Sequence, residues 1–370
     1  MSLPIRVLHV LGKLNRNGAE TMIMNIYREV DRDKIQFDFV IHTTEKCDYD
    51  DEIISMGGII HRITRYNGLN HFEYRNQWKE ILSVNNYKLI HGHVRSTASI
   101  YIPIAKKYGI KTISHSHSIS SGKGILGGIK KVLQYPVRYQ ADFFMACSDE
   151  AATWMFGKKV LKHKNYYKIN NAIHLKKFMF NPYVRTVMRT KMNLEGKYVI
   201  GHVGRFEKEK NHSKLIHIFN EFHKMEPNSV LLLLGEGSHF FSVKKIVKNL
   251  NLENVVLFAG NQSNVNDYYQ CMDLFLFPSL YEGLGMVVIE AQTSGLECIV
   301  SENIPKEAYI TSSIHTQKNS NQNKLWIEKI SSLRKENSSR KVDNYTLVKA
   351  AGYDIKETSL FLTNFYEKNC

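Results

Sequence analysis

The sequence predicts an α/β protein built from two doubly wound parallel sheets. Short apolar runs of strand length alternate with amphipathic stretches of helix length, and these runs fall into two series of similar size. A polar stretch at residues 181–196, containing Pro182, separates the series. Length agrees, since 370 residues at about 100–200 per domain suggest two domains.

The first series occupies residues 6–11, 37–42, 89–93, 112–116 and 143–148, and the second 198–203, 230–234, 255–258, 274–277 and 298–301. Runs without polar alternation suit strands whose two faces are both covered, as in parallel sheets flanked by helices. Helical periodicity at 19–30, 213–224 and 284–294 gives examples of the connecting helices. The domain boundary is expected near residue 180, giving domains 1–180 and 181–352. Residues 312–344 carry no readable motif. Ligands of such sheets bind beyond the carboxyl ends of the strands, which in a two-domain protein becomes a cleft between the domains.

Apolar residues make up 43% of the chain and charged residues 23%, which excludes a disordered or collagen-like chain. The longest aliphatic run, residues 230–234, is far below the roughly 18 residues of a membrane span. The first ten residues lack the charged leader and apolar core of a secretion signal. Five scattered cysteines show neither a disulfide framework nor metal-ligand spacing, so the expectation is a reduced, cytoplasmic protein.

Fifty Lys+Arg against 35 Asp+Glu give a net charge of +15. Residues 121–185 hold twelve Lys/Arg and three Asp/Glu, a net +9. Such a patch attracts phosphates. Lys123, Lys130, Lys131 and Arg138 are interleaved there with Ile, Leu, Val and Tyr, the composition of a segment lying on an anionic membrane surface. A plain solvated surface is an equal alternative. Nucleic acid is disfavoured, because no zinc module, helix-turn-helix or RNA-binding signature accompanies the charge.

The strongest motif is Pro278-Ser-Leu-Tyr-Glu282-Gly-Leu-Gly285, running on to Glu290 and Ala291. A strand enters a glycine-bearing turn, and a helix is expected from about Leu284. Gly283 and Gly285 allow close backbone approach to a ligand, and the helix start offers N–H groups to an anion. Glu282 and Glu290 would repel phosphate and suit sugar hydroxyls instead. A second turn, Gly201-His-Val-Gly204-Arg205 continuing to Lys210 and Asn211, brings two cations to the same strand-end edge. They could neutralise a departing diphosphate. The Gly-x4-Gly-Lys-Ser/Thr pattern of ATP hydrolases is absent.

Taken together, these motifs resemble the retaining, nucleotide-sugar-dependent glycosyltransferases of family 4, of the GT-B fold and the bacterial capsule and exopolysaccharide type. The resemblance spans nearly the whole chain. Its hallmark is the Glu-x7-Glu element at Glu282 and Glu290, accompanied by Arg205 and Lys210 and by the Leu234-Gly-Glu-Gly237 turn. It implies two Rossmann-like domains facing across a cleft, with residues 353–370 forming a helix that crosses back to the first. It also implies that Arg205 and Lys210 bind the donor diphosphate. Glu282 takes the donor sugar's hydroxyls, beside the amides of Gly283, Leu284 and Gly285, while Glu290 takes the ribose hydroxyls. Gly18, in Asn15-Arg-Asn-Gly18, would let the chain approach the phosphate. His117 aligns with the family histidine that faces the donor sugar, with His115 two residues away. Departures are Asn211 where relatives carry Gly, and Ala172 and His174 in the loop Asn171-Ala-Ile-His174 that closes the first domain.

The expected function is transfer of a hexosyl unit from a nucleotide sugar, by family frequency a UDP-sugar, to a glycan or polyprenyl-diphosphate-linked acceptor. The expected place is the inner face of the cell membrane. No cofactor and no metal are expected; Asp48-Tyr-Asp50 has the spacing of a metal clamp but lies in the wrong domain. The rivals are a nucleotide-sugar epimerase on the same fold and a non-catalytic membrane-surface binder.

Overall fold

The computed structural model describes residues 3–117, 128, 132–320, 322–336 and 340–370. The chain forms two compact units, Met1–Ile173 together with Asp354–Cys370, and His174–Tyr353.

In the first unit, β1 (Ile5–Leu11), β2 (Ile35–Ile41), β3 (Ile60–Arg62), β4 (Leu89–Gly92), β5 (Lys111–Ser116), β6 (Phe143–Ala146) and β7 (Tyr166–Lys168) form one parallel sheet in the order β3-β2-β1-β4-β5-β6-β7. Every residue of β2 is buried, including Asp38. Its carboxylate is tolerated because Arg6 donates to both oxygens, at 2.6 and 2.5 Å, and the Tyr87 hydroxyl donates to one at 2.9 Å. One face of the sheet packs Tyr27, Phe37 and Leu362 into a core that includes the closing helix Ile355–Asn369. The other packs Tyr74, Trp78 and Tyr101. The closing helix enters through Ile355, whose N–H donates to Ile173 O at 3.0 Å.

In the second unit, β8 (Tyr198–Val203), β9 (Ser229–Leu234), β10 (Val256–Gly260), β11 (Leu274–Phe277), β12 (Glu297–Ser301) and β13 (Ile314–Gln317) form a parallel sheet in the order β10-β9-β8-β11-β12-β13. In both sheets the strand order reverses beside the first strand, between β1 and β4 and between β8 and β11. At such a switch point the loops leaving adjacent strands diverge and open a crevice.

Three strands have no counterpart among the apolar runs: β3, β7 and β13. Each lies at a sheet edge, has three or four residues and is largely half-exposed, so it lacks the apolar signature of a central strand. The polar stretch 181–196 that separates the two series is largely a helix, Pro182–Lys191. Asn181 caps it by accepting from Val184 N at 3.1 Å. Arg185 pairs with Asp273, and Arg189 reaches the same carboxylate at 3.1 Å. Its polarity reflects inward ion pairing, and the passage between units falls after Ile173.

Candidate active site

β8 and β11 are neighbours at the switch point, with Leu274 opposite Ile200 and Phe275 opposite Gly201. The two motif-bearing loops therefore leave adjacent strands. After β8 the chain turns through Gly204, Arg205 and Phe206. Phe206 is fully buried and stacks on His212 at 4.1 Å, anchoring the turn and leaving Arg205 exposed. Arg205 makes no side-chain hydrogen bond with the described residues. The turn fits against Gly235-Glu236-Gly237: Phe206 N donates to Glu236 O at 2.9 Å and Gly204 N to Leu234 O at 3.0 Å. Gly235 sits at φ +128, and a Cβ there would lie 2.2 Å from Gly204 O, so no side chain fits.

A short 3-10 turn, Lys208–Lys210, leads to Asn211 at φ 56, which begins the helix His212–Met225. Asn is among the side-chain-bearing residues that best tolerate this left-handed conformation. Asn211 Nδ2 donates to Pro278 O at 3.2 Å and Leu280 N to Glu209 O at 2.7 Å, so the two loops are tied together. Across that tie Lys210 Nζ meets Glu282 Oε1 at 2.5 Å, with the ammonium 5.0 Å from the Phe277 ring centroid. The lysine and glutamate side chains are 18% and 10% exposed. A cation and a carboxylate are thus fixed side by side in a poorly hydrated notch.

Beyond Glu282 the backbone is open, and no atom lies within 4 Å of where a Gly283 Cβ would be. Leu284 is buried and Gly285 takes φ +82. The helix spans Met286–Thr293, two residues later than the expected start at Leu284, because the left-handed Gly285 interrupts helical geometry. Glu290 is half-buried, and its Oε2 accepts from the Tyr269 hydroxyl at 2.9 Å. Burial pushes the Glu290 carboxyl up to about 7 against the opposing effect of that hydrogen bond. Arg205, Lys210, Glu282, Gly283, Leu284, Gly285 and Glu290 all lie on the loops and helix following β8 and β11.

A concavity of about 390 Å³ opens beside these loops, lined by Asn211, Lys214, Leu280 and Asn319 among others. A cavity of about 660 Å³ elsewhere in this unit is lined by Arg185, Arg189, Arg340 and Asp273. Its arginines are consumed by Asp273 and by backbone carbonyls, four of which accept from Arg340, so its charge is structural.

In the first unit, Gly18 begins the helix Gly18–Glu29 with open space where a Cβ would be. Asp50 is taken by Arg62 and by the Cys47 N–H, and Asp48 accepts from Arg16 N, so both Asp-x-Asp carboxylates have protein partners. His117 follows β5, half-buried, with Nε2 2.8 Å from His93 Nδ1. Burial lowers its pKa to about 4, partly offset by the Asn171 side chain, so it is neutral at physiological pH.

Sequence reasoning missed the company His117 keeps. His9, His91, His93, His115 and His117 lie on or just beyond β1, β4 and β5. The available signal was the pair of His-x-His spacings, His91/His93 and His115/His117, which place both members on one face of a strand. Of the basic segment, Lys123, Lys130 and Lys131 lie outside the described residues. Arg138 is half-buried, donates to Met155 O at 3.4 Å and lies over the Tyr135 ring at 4.1 Å. Among the described residues no helix is long and apolar enough to cross a membrane.

Two Rossmann-like units, one carrying a cationic, glycine-bearing turn at its switch point, place candidate anion-binding residues where α/β proteins bind ligands. Comparison with known proteins makes this specific. The family model described as glycosyl transferases group 1 matches residues 184–345, and that for Glycosyltransferase Family 4 matches residues 16–177. The glycosyltransferase EpsF of Bacillus subtilis is 31% identical over 308 residues, covering 82% of this chain and 80% of that protein. The capsular polysaccharide biosynthesis glycosyltransferase CapH of Staphylococcus aureus is 24% identical over 323 residues, 83% of each. The crystal structure of Anabaena HepE in complex with UDP superposes with a TM-score of 0.79 at 15% identity, covering 99% of this chain and 100% of that one. The chain belongs to the group 1 glycosyltransferases and has the GT-B fold.

Proposed function

We propose that this glycosyltransferase moves a hexosyl unit, with retention, from a UDP-sugar to a glycan or polyprenyl-diphosphate-linked acceptor in surface polysaccharide synthesis. The observation that carries the reading is the Lys210–Glu282 pair held between two loops at the switch point of β8 and β11. In the free protein the two side chains satisfy each other. A donor exchanges that contact for two: its diphosphate on Lys210 and Arg205, and a sugar hydroxyl on Glu282. The pairing keeps both groups in place before the donor arrives, which is the preorganisation that electrostatic catalysis needs.

Glu290 accepts from the ribose hydroxyls, and the open backbone at Gly283 admits the sugar. As the bond from the anomeric carbon to the diphosphate oxygen breaks, Lys210 and Arg205 neutralise the charge growing on that oxygen. The acceptor oxygen bonds to the same face, and its proton passes to the departing phosphate oxygen. The chemistry uses no metal and no cofactor. The UDP in the HepE crystal structure supports the choice of donor nucleotide, and the name of CapH supports the polysaccharide context. The basic segment around Lys123, Lys130, Lys131 and Arg138 brings the enzyme to the anionic inner face of the membrane, where each cation contributes about 1 kcal/mol.

A panel of nucleotide sugars, with released diphosphate as readout and a lipid extract as acceptor source, tests the assignment. Diphosphate release that needs the acceptor supports transfer. An epimerised sugar formed from donor alone favours the epimerase, and binding to anionic vesicles without turnover of any donor favours the membrane-surface binder.

A further inference from the structure

Five histidines of the first unit form a connected array on one side of its sheet. His9 on β1 places Nδ1 3.1 Å from His93 Nε2, and His93 Nδ1 lies 2.8 Å from His117 Nε2. In parallel, His91 on β4 places Nε2 3.1 Å from His115 Nδ1, while His91 Nδ1 lies 2.7 Å from the Tyr366 hydroxyl of the closing helix. Apart from the Tyr366 hydroxyl, the ring nitrogens in these contacts face one another. One ring nitrogen from each of His93, His115 and His117 lies within 4.8 Å of the other two. His115 is 1% exposed and its Nε2 has no hydrogen-bond partner, nor has His117 Nδ1.

We infer that His93, His115 and His117 form a binding site for a first-row transition-metal dication of the zinc type, which nothing in the proposed transfer reaction requires. Three neutral imidazoles are the ligand set such ions prefer, and a three-histidine set leaves a fourth position for water. The surroundings fit as well. A metal-binding imidazole normally donates its second N–H to an outer partner that fixes its tautomer. With Nδ1 of His93 on the ion, Nε2–H donates to His9. With Nε2 of His115 on the ion, Nδ1–H donates to His91, whose own Nδ1–H donates to Tyr366. With Nε2 of His117 on the ion, its Nδ1 has no outer partner among the described residues. Without an ion, one ring of the His93–His117 pair donates its N–H to the other, as complementary neutral tautomers allow.

The test uses full-length protein carrying no histidine tag, stripped with chelator and titrated with Co²⁺, whose visible d–d bands report imidazole ligation of low coordination number. Elemental analysis after Zn²⁺ loading and gel filtration gives the stoichiometry. The expected result is one ion per chain, a saturable Co²⁺ spectrum, and a rise in Tm on Zn²⁺ addition. His115→Gln and His117→Gln should abolish the spectrum, and His91→Asn, which removes only an outer partner, should weaken binding by about 10–100-fold. His117 is only half-buried, so His117→Gln keeps the core intact even if His115→Gln does not fold. His239→Gln, at an exposed position on the other unit, should bind as the native protein does. A folded native protein that gives neither spectrum nor Tm shift, or equal uptake by folded His117→Gln, would overturn the site.

Discussion

Replacing Lys210 by Ala separates a structural role from a catalytic one, because its partner is known and nearly dry. Glu282 is 10% exposed on the side chain and its Oε1 faces Lys210 at 2.5 Å. Removing one partner of a fully buried pair costs about 3–5 kcal/mol, since the other charge is left uncompensated. This notch is open on one side at Gly283, so about 2 kcal/mol is the reasonable expectation. In a domain of this size that lowers Tm by about 4–8 °C. The double replacement Lys210→Ala with Glu282→Ala removes both charges and should recover most of that loss. Activity should behave differently. Each single variant should lose at least about 100-fold in transfer, the scale of one preorganised electrostatic contact, and the double variant should regain none of it. Thermal melts and diphosphate release on the same preparations decide the matter. Stability and turnover recovering together in the double variant would refute the reasoning, as would a folded Lys210→Ala that transfers at the native rate.

Three further outcomes follow from the geometry. Gly235→Ala should destabilise the second unit by about 3 kcal/mol, because the new Cβ would meet Gly204 O at 2.2 Å in a left-handed conformation; a melt unchanged from native would contradict the turn packing. Glu290, with its carboxyl raised from 4.5 to about 7, holds a proton in the folded chain that the unfolded chain has released, so its contribution to stability falls as pH rises through that window. If Glu290 accepts from the donor ribose in its ionised form, as proposed, the donor KM should rise about fivefold between pH 7 and pH 6, and a Glu290→Gln variant should show a flat profile. If Arg205 and Lys210 supply the charge at the diphosphate, as proposed, transfer should survive exhaustive treatment with EDTA; activity lost and restored only by a divalent ion would show that account to be wrong.

Much of the fold is written in the chain, and the exceptions share a cause. β1 and β2 of the first sheet and β8, β9 and β11 of the second are buried, largely apolar runs because both faces are covered, and they stand out. The edge strands β3, β7 and β13 are short and half-exposed, so apolar periodicity cannot report them. The Pro182–Lys191 helix was obscured by arginines whose burial depends on Asp273, a residue far along the chain. At the site, the glycine turns and the residue types were legible, since backbone freedom and charge are local properties. The meeting of Lys210 with Glu282, the Tyr269 hydroxyl on Glu290 and the histidine array were not. The first and the last depend on which strands become neighbours, decided by sheet order, and the second joins the helices before and after β11, so none is a property of local sequence.

The central claim is that the loops following β8 and β11 bind a nucleotide sugar for transfer. It is tested most directly by calorimetric titration of UDP into native protein, Lys210→Ala and Arg205→Ala, paired with acceptor-dependent UDP release from a UDP-sugar. The account predicts binding by the native protein, at least about tenfold weaker binding by each folded variant, and UDP release only when acceptor is present. Equal UDP affinity in all three proteins, or release that ignores the acceptor, would contradict it.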